Sequence, residues 1–211
     1  MAKGILLNAR NHSNVPRDEY DDWYQSEHLP ERSRVPGFLS AERWVDVHDP
    51  NVSVSVYDLE SIAVLGSAAY RAVGYDNISP WTKRIVRLSE RLLRFEGTQT
   101  VPGGAPSPSG SGGLLVNAMN AAAEGEADFN RWYDEEHIPA LSAVPGTLLA
   151  RRFHATDTSR QWHLALYHLE SPDVVATEAW AKAVDTPWTK RIRPFMQDRL
   201  RIVCRPYRQS D

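Results

Sequence analysis

The chain has one cysteine, Cys204, in 211 residues. No internal disulfide is possible, and that usage fits a reducing compartment. Long hydrophobic runs are also missing. The apolar stretch at residues 5–7 is too short for the core of a signal peptide, and nothing approaches the roughly 20 apolar residues of a membrane span. There is no basic run, and the net charge is only −3, so the electrostatic footprint of a nucleic-acid binder is absent. No glycine-rich phosphate loop, dinucleotide fingerprint or nucleophile elbow occurs, and no Cys/His spacing matches a zinc site. These absences point to a soluble, cytoplasmic protein with no metal, no nucleic-acid partner and no membrane anchor. With 42% hydrophobic and 24% charged residues, the chain has the composition of an ordinary globular protein.

What is present is a repeat. Trp23-Tyr24-x-x-Glu27-His28-Leu29-Pro30 recurs 109 residues later as Trp132-Tyr133-x-x-Glu136-His137-Ile138-Pro139. Val35-Pro36-Gly37 returns as Val144-Pro145-Gly146, Tyr57-x-Leu59-Glu60 as Tyr167-x-Leu169-Glu170, and Pro80-Trp81-Thr82-Lys83-Arg84 as Pro187-Trp188-Thr189-Lys190-Arg191. Two copies of one unit imply a fused pseudo-dimer rather than a solenoid. Residues 100–113 (TVPGGAPSPSGSGG) read as a flexible linker between a first unit, 1–99, and a second, 114–211.

Each half reads in the same order. A short strand (4–11; 113–120) precedes an aromatic helix (17–34; 126–143) and a Pro-Gly turn. Two strands follow (38–48 and 53–59; 147–156 and 162–169), joined by turns at Asp49-Pro50-Asn51 and Asp157-Thr158-Ser159. A second helix (61–74; 172–184), a Pro-Trp-Thr-Lys-Arg loop and a last strand (88–96; 198–205) complete the half. The class is α+β, with two ferredoxin-like βαββαβ units. A sheet with helices on one face must cover the other. Two units packed sheet to sheet, forming a barrel within one chain, do this.

On a helical wheel Tyr20, Trp23, Tyr24, Glu27 and His28 share an arc of about 140°, and Phe129, Trp132, Tyr133, Glu136 and His137 share the equivalent arc. A carboxylate facing a core is costly unless paired or protonated, so Glu27 and Glu136 are either proton-transfer groups or ion-pair partners of Arg43, Arg152, Arg84 or Arg191. His28 and His137 lie where a Leu/Ile-Pro break ends the helix, within reach of a cavity. Asn8 and Asn117 are polar positions in half-buried strands. Trp81 and Trp188 are candidates to roof a pocket, and Tyr57 and Tyr167 read as core. Some positions differ between the copies: His12 aligns with Ala121, Ser53 with His163, and Glu31-Arg32 with Ala140-Leu141. Two pockets, if present, are therefore not equivalent. Iron ligation by His154, His163 or His168 is the remaining cofactor alternative.

The W-Y-x-x-E-H-x-P run with V-P-G and the later tryptophan segment resembles the EthD-like family of dimeric α/β barrel proteins, over nearly the whole chain outside the linker. The resemblance implies ferredoxin-like units associated through their sheets, here as a fused tandem, monomeric or further dimerised. It also implies the chemistry of cofactor-independent lyases and isomerases on a small apolar, aromatic or polyketide-like substrate. Carried over by position, the catalytic residues are His28, His137, Glu27 and Glu136. Asn8, Asn117, Trp23, Tyr24, Trp132, Tyr133, Arg43, Arg152, Trp81 and Trp188 are the substrate-binding set. The rival expectation is a non-catalytic small-molecule binder or accessory protein.

Overall fold

A computed structural model describes residues 3–156 and 160–208; the turn expected at residues 157–159 lies outside them. Eight strands form a closed antiparallel barrel in the order β1-β3-β2-β8-β5-β7-β6-β4. Strands β1 (Gly4–Asn11), β2 (Glu42–Asp46), β3 (Val52–Leu59) and β4 (Glu90–Val101) come from the first half. The second half supplies β5 (Gly113–Ala121), β6 (Thr147–Ala155), β7 (His163–Leu169) and β8 (Met196–Pro206). The halves join at two seams, where β2 pairs with β8 and β4 with β6. Closure leaves no sheet edge open.

Side chains alternate between the two faces of each strand. Ile5, Leu7, Val54, Val56, Phe95, Leu114, Val116, Leu164 and Leu166 point inward and fill the barrel. The barrel interior is therefore a packed core. The alternate residues, such as Leu6, Tyr57, Leu115 and Tyr167, point outward beneath the helices.

The aromatic helix of each half has three parts. In the first half, α1 (Arg17–Trp23) passes into a π-helical turn at Tyr24–His28 and then α2 (Leu29–Ser33). In the second, α5 (Glu126–Trp132) passes into a π turn at Tyr133–His137 and then α6 (Ile138–Ser142). The helix therefore does not end at the Leu/Ile-Pro break. Pro30 and Pro139 sit in the first turn of α2 and α6. A π turn accommodates a residue that cannot donate to its i−4 carbonyl.

The expected second helices divide into 3₁₀ turns (Ile62–Gly66; Pro172–Ala176) and α3 (Ala68–Val73) or α7 (Glu178–Ala183). The Pro-Trp-Thr segments are helices rather than loops: α4 (Pro80–Leu88) and α8 (Pro187–Ile192). Ser79 and Thr186 cap them by accepting from the amides of Thr82 and Thr189, and proline at the first position suits a helix start. The strand expected at 38–48 is only Glu42–Asp46, with an isolated bridge from Phe38 to Leu59. Gly37 and Gly146 adopt φ values of 90° and 87° after their Val-Pro pairs, a conformation that favours glycine.

The Pro/Gly/Ser segment is anchored rather than free. Asp58 accepts from the Ser107 amide and from Arg151, at 2.7 Å each, and Arg151 also donates to Ser107 Oγ. This ion pair is 1–2% exposed and ties β3, β6 and the connecting segment together.

Candidate functional site

Each half holds one cavity between the outer face of its sheet and its helices, of about 240 Å³ in the first half and about 370 Å³ in the second. The two linings share their ring-bearing and polar positions: His28, Trp23, Tyr57, Asn8 and Arg94 line the first, and His137, Trp132, Tyr167, Asn117 and Arg201 line the second. Tyr24 also lines the first cavity, whereas its counterpart Tyr133 packs against His137 without lining the second. Strand pairing explains the match, since Asn8 lies opposite Arg94 and Asn117 opposite Arg201.

The histidines are seated by aromatic rings. His28 stacks on Trp23 at 4.5 Å and meets Tyr24 edge-on at 5.3 Å. His137 stacks on Trp132 at 4.1 Å and meets Tyr133 edge-on at 5.2 Å. The Nδ1 atom of each is sealed without a hydrogen-bond partner, which leaves Nε2 as the nitrogen available to a ligand. Burial pushes the His137 pKa down to about 3, with Arg199 adding to it. Burial, with Arg32 and Arg10 behind it, drives that of His28 well below the usual value. Both rings are thus neutral. Burial also raises the pKa of Tyr24, Tyr57, Tyr133 and Tyr167, so these hydroxyls keep their protons.

Glu27 and Glu136 do not face the cavities. Glu27 accepts from Ser79 and Thr82, and Glu136 from Thr186. The π turn shifts the helical phase, so the wheel's common arc fails at this position and each glutamate meets the start of α4 or α8. The link to the site is indirect: Trp23 Nε1 donates to Thr82 Oγ1 at 2.9 Å and Trp132 Nε1 to Thr189 Oγ1 at 3.1 Å. The glutamates thereby help hold the indoles on which the histidines stack.

Arg43 and Arg152 lie outside both linings. Arg43 pairs with Asp21 and lies over Tyr24 and Tyr207; Arg152 pairs with Asp134. Trp81 is a half-buried residue of α4, and Trp188 lies between Arg131 and Arg191 on α8. Arg84 and Arg191 pair with Glu19 and Asp128 rather than with Glu27 or Glu136. Arg10, Arg32, Arg91 and Arg94 line the first cavity and Arg193, Arg199 and Arg201 the second; none is among the site residues expected from sequence, where Arg32 stands only as a position that differs between the copies. A signal was present: Arg94 recurs as Arg201 at the offset of the preceding Pro-Trp-Thr segment. Among the described residues no carboxylate lines either cavity.

Among the described residues one group has metal-ligand geometry: Glu126, His154 and His163, with ligand atoms within 4.8 Å of one another. Arg152 Nη2 lies 3.2 Å from His163 Nδ1. A guanidinium can only donate, so Nδ1 accepts and the ring proton sits on Nε2, facing Glu126 at 3.8 Å. That nitrogen then has no lone pair for a cation. Metal-bound histidines show the reverse arrangement, with the distal N–H donating outward.

The sequence matches no family model and no curated protein. Solved structures of similar shape do exist. An anthrone oxidase-like protein superposes with a TM-score of 0.66 at 12% identity, covering 98% of this chain and 92% of that one. A mutant chlorite dismutase from Candidatus Nitrospira defluvii, in complex with cyanide, gives 0.62 at 11% identity over 98% and 91%. A heme-binding protein from Thermus thermophilus gives 0.60 at 10% identity over 99% and 92%. What these proteins share with this chain is its architecture, a closed antiparallel barrel flanked by helices. At such identities the likeness is one of fold alone.

The heme that the Thermus thermophilus protein binds does not fit here. A porphyrin exceeds a drug-sized ligand, whereas cavities of about 370 and 240 Å³ lie at or below the lower end of the roughly 300–1,000 Å³ such ligands occupy. His168 faces the packed barrel interior with both ring nitrogens sealed, so no ligand reaches it. No helix among the described residues is long and apolar enough to cross a membrane.

Proposed function

We propose that this chain is a cofactor-independent lyase or isomerase that moves a proton on a small, largely aromatic substrate bearing or developing negative charge. The observation that carries this reading is the shared grouping in both cavities. A neutral imidazole stacked on tryptophan faces a guanidinium and an asparagine, with no carboxylate among the described lining residues. The imidazole Nε2 accepts a proton from a carbon next to a carbonyl. The electron pair of that C–H bond forms a carbon–carbon double bond as the carbonyl π pair moves onto oxygen, and the arginine and asparagine stabilise the resulting enolate. Returning the proton to another carbon completes an isomerisation; returning it to a departing hydroxyl completes a dehydration. An imidazole with a depressed pKa is a weak base, but the adjacent enolate raises it during the step, because opposite charges favour each other in a dry site.

The same low pKa favours a second reading, a small-molecule binder in which the histidines only accept hydrogen bonds. On either reading we regard the chain as a fused tandem of two ferredoxin-like, EthD-like units working in the cytoplasm.

Benzoylacetate, an aryl β-keto acid, tests the proposal. Enzyme-accelerated exchange of its acidic C–H protons in deuterated water should fall about 10²–10⁴-fold on replacing the histidine of the active cavity, by His28→Gln or His137→Gln. Unchanged exchange in both single variants and in the double variant would leave only the binding role.

A further inference from the structure

The two cavities share most of their chemistry-bearing positions, together with Leu6/Leu115 and Thr82/Thr189, but differ at several other places in their walls. Strand register and helix caps fix which residues correspond: Asn8 faces Ser55 where Asn117 faces Ala165, and the helix capped by Ser67 matches the one capped by Thr177. On that basis Arg10 corresponds to Met119, Arg32 to Leu141 and Tyr70 to Trp180. All six line their respective cavities. At each of these positions the first half carries the polar or charged member and the second half the apolar one.

The charges of the second cavity sit elsewhere. Arg193 occupies the place of Val86 and Arg199 that of Leu92. Arg193, Arg199 and Arg201 are all exposed, and among the described residues none has a carboxylate partner within salt-bridge distance. In the first cavity Arg32 is buried, at 5% exposure, and Arg10 and Arg94 are half-buried. Arg94 has Glu96 beside it, whereas Arg10 and Arg32 are held by backbone carbonyls that leave their charge intact. Relative to the first half, the second has moved positive charge from the interior to the rim, replaced it with apolar surface and gained volume.

We infer that the two cavities take different ligands. The second-half cavity takes an apolar ring system with one anionic group, which ends at Arg199 and Arg201 at the mouth. The first-half cavity takes a smaller molecule carrying several anionic oxygens, carboxylate or phosphate, held from within by Arg10, Arg32 and Arg94 and at its exposed edge by Arg91. A buried guanidinium left without an anion is costly, and a multiply charged guest supplies partners. An apolar ring gains from contact with Met119, Leu141 and Trp180 and meets charge only where water remains. The inference rests on reading the cavities as ligand sites and assigns each its class.

Calorimetric titration of the full chain with 2-naphthoate and with citrate tests it. Both probes should bind, one of each per chain, and saturation with one should leave the affinity for the other unchanged. Arg32→Leu and, at the exposed edge of the same cavity, Arg91→Gln should weaken citrate about tenfold or more, the scale of a lost charge-assisted hydrogen bond, and leave 2-naphthoate unaffected. Leu141→Arg should weaken 2-naphthoate and leave the original citrate site intact. Arg91→Gln alters an exposed side chain, so it tests the assignment even where Arg32→Leu fails to fold. Competition between the probes, equal effects of each variant on both, or no binding of either at millimolar concentration would overturn the assignment. Binding is read without turnover. Failure of proton exchange with both ligands still bound would therefore sink the proposed reaction and spare this inference.

Discussion

Five of the seven histidines are held neutral by the fold, which makes acid stability the most quantitative consequence of this structure. Burial first, with a nearby arginine second, lowers the pKa of His12 to about 4 and those of His137, His163 and His168 to about 3, and drives that of His28 well down. A lowered histidine pKa means that the unfolded chain takes up protons which the folded chain refuses. The associated stability is complete above the unfolded value of about 6.5 and is lost as pH falls toward the folded values. At pH 5.5 each unfolded imidazole gains about 1.4 kcal/mol by protonation, so five together cost about 7 kcal/mol. That is comparable with the roughly 5–15 kcal/mol that holds a typical domain folded. Glu31 and Glu42, whose pKa values burial raises, act in the opposite direction but are only two. Urea denaturation at constant ionic strength between pH 8 and 5.5 should show stability falling ever more steeply, with between four and five protons taken up on unfolding at the acid end. His168→Leu, which replaces two unpartnered buried nitrogens with hydrocarbon, should remove about one of those protons and leave stability at pH 8 equal or higher. A midpoint independent of pH over this range, or uptake of fewer than two protons, would refute the reasoning.

Other outcomes follow from the same contacts. Asp58→Ala strands the buried Arg151 charge and should cost about 3–5 kcal/mol, whereas Asp58→Leu with Arg151→Met should cost far less than the sum of the single changes; a chemical-denaturation cycle reads the coupling. Thr186→Ala removes the cap of α8 together with the Glu136 contact and should lower stability by about 0.5–2 kcal/mol. Glu27→Gln and Glu136→Gln should change proton-exchange rates by less than about tenfold, well short of the loss expected from a general base, because the carboxylates line neither cavity and accept instead from the hydroxyls of Ser79, Thr82 and Thr186.

The mixed α+β class and the placement of Trp, Tyr and His on a buried face were legible because both rest on local periodicity and on a motif stated twice. Three things were not. The seams β2–β8 and β4–β6 are pairings between distant segments, which no local pattern announces. The wheel placed Glu27 beside His28 because it assumed a uniform α-helix. The five-residue π turn breaks that assumption, and a proline two residues after each histidine was its trace. The Pro/Gly/Ser segment reads as free by composition, yet one buried pair, Arg151 and Asp58, holds it down. The helices at Pro80 and Pro187 did carry a readable signal, a Ser or Thr cap followed directly by proline.

The central claim is that a neutral imidazole with a free Nε2 faces the ligand in each cavity. Nitrogen-15 resonances of His28 and His137, recorded from pH 8 to pH 5 with and without 2-naphthoate, test it most directly. The account predicts that both rings stay neutral through pH 5 in the free protein and that the Nε2 signal of His137 moves when the ligand binds. Titration near pH 6.5, or a His137 signal indifferent to a ligand shown to be bound, would contradict it.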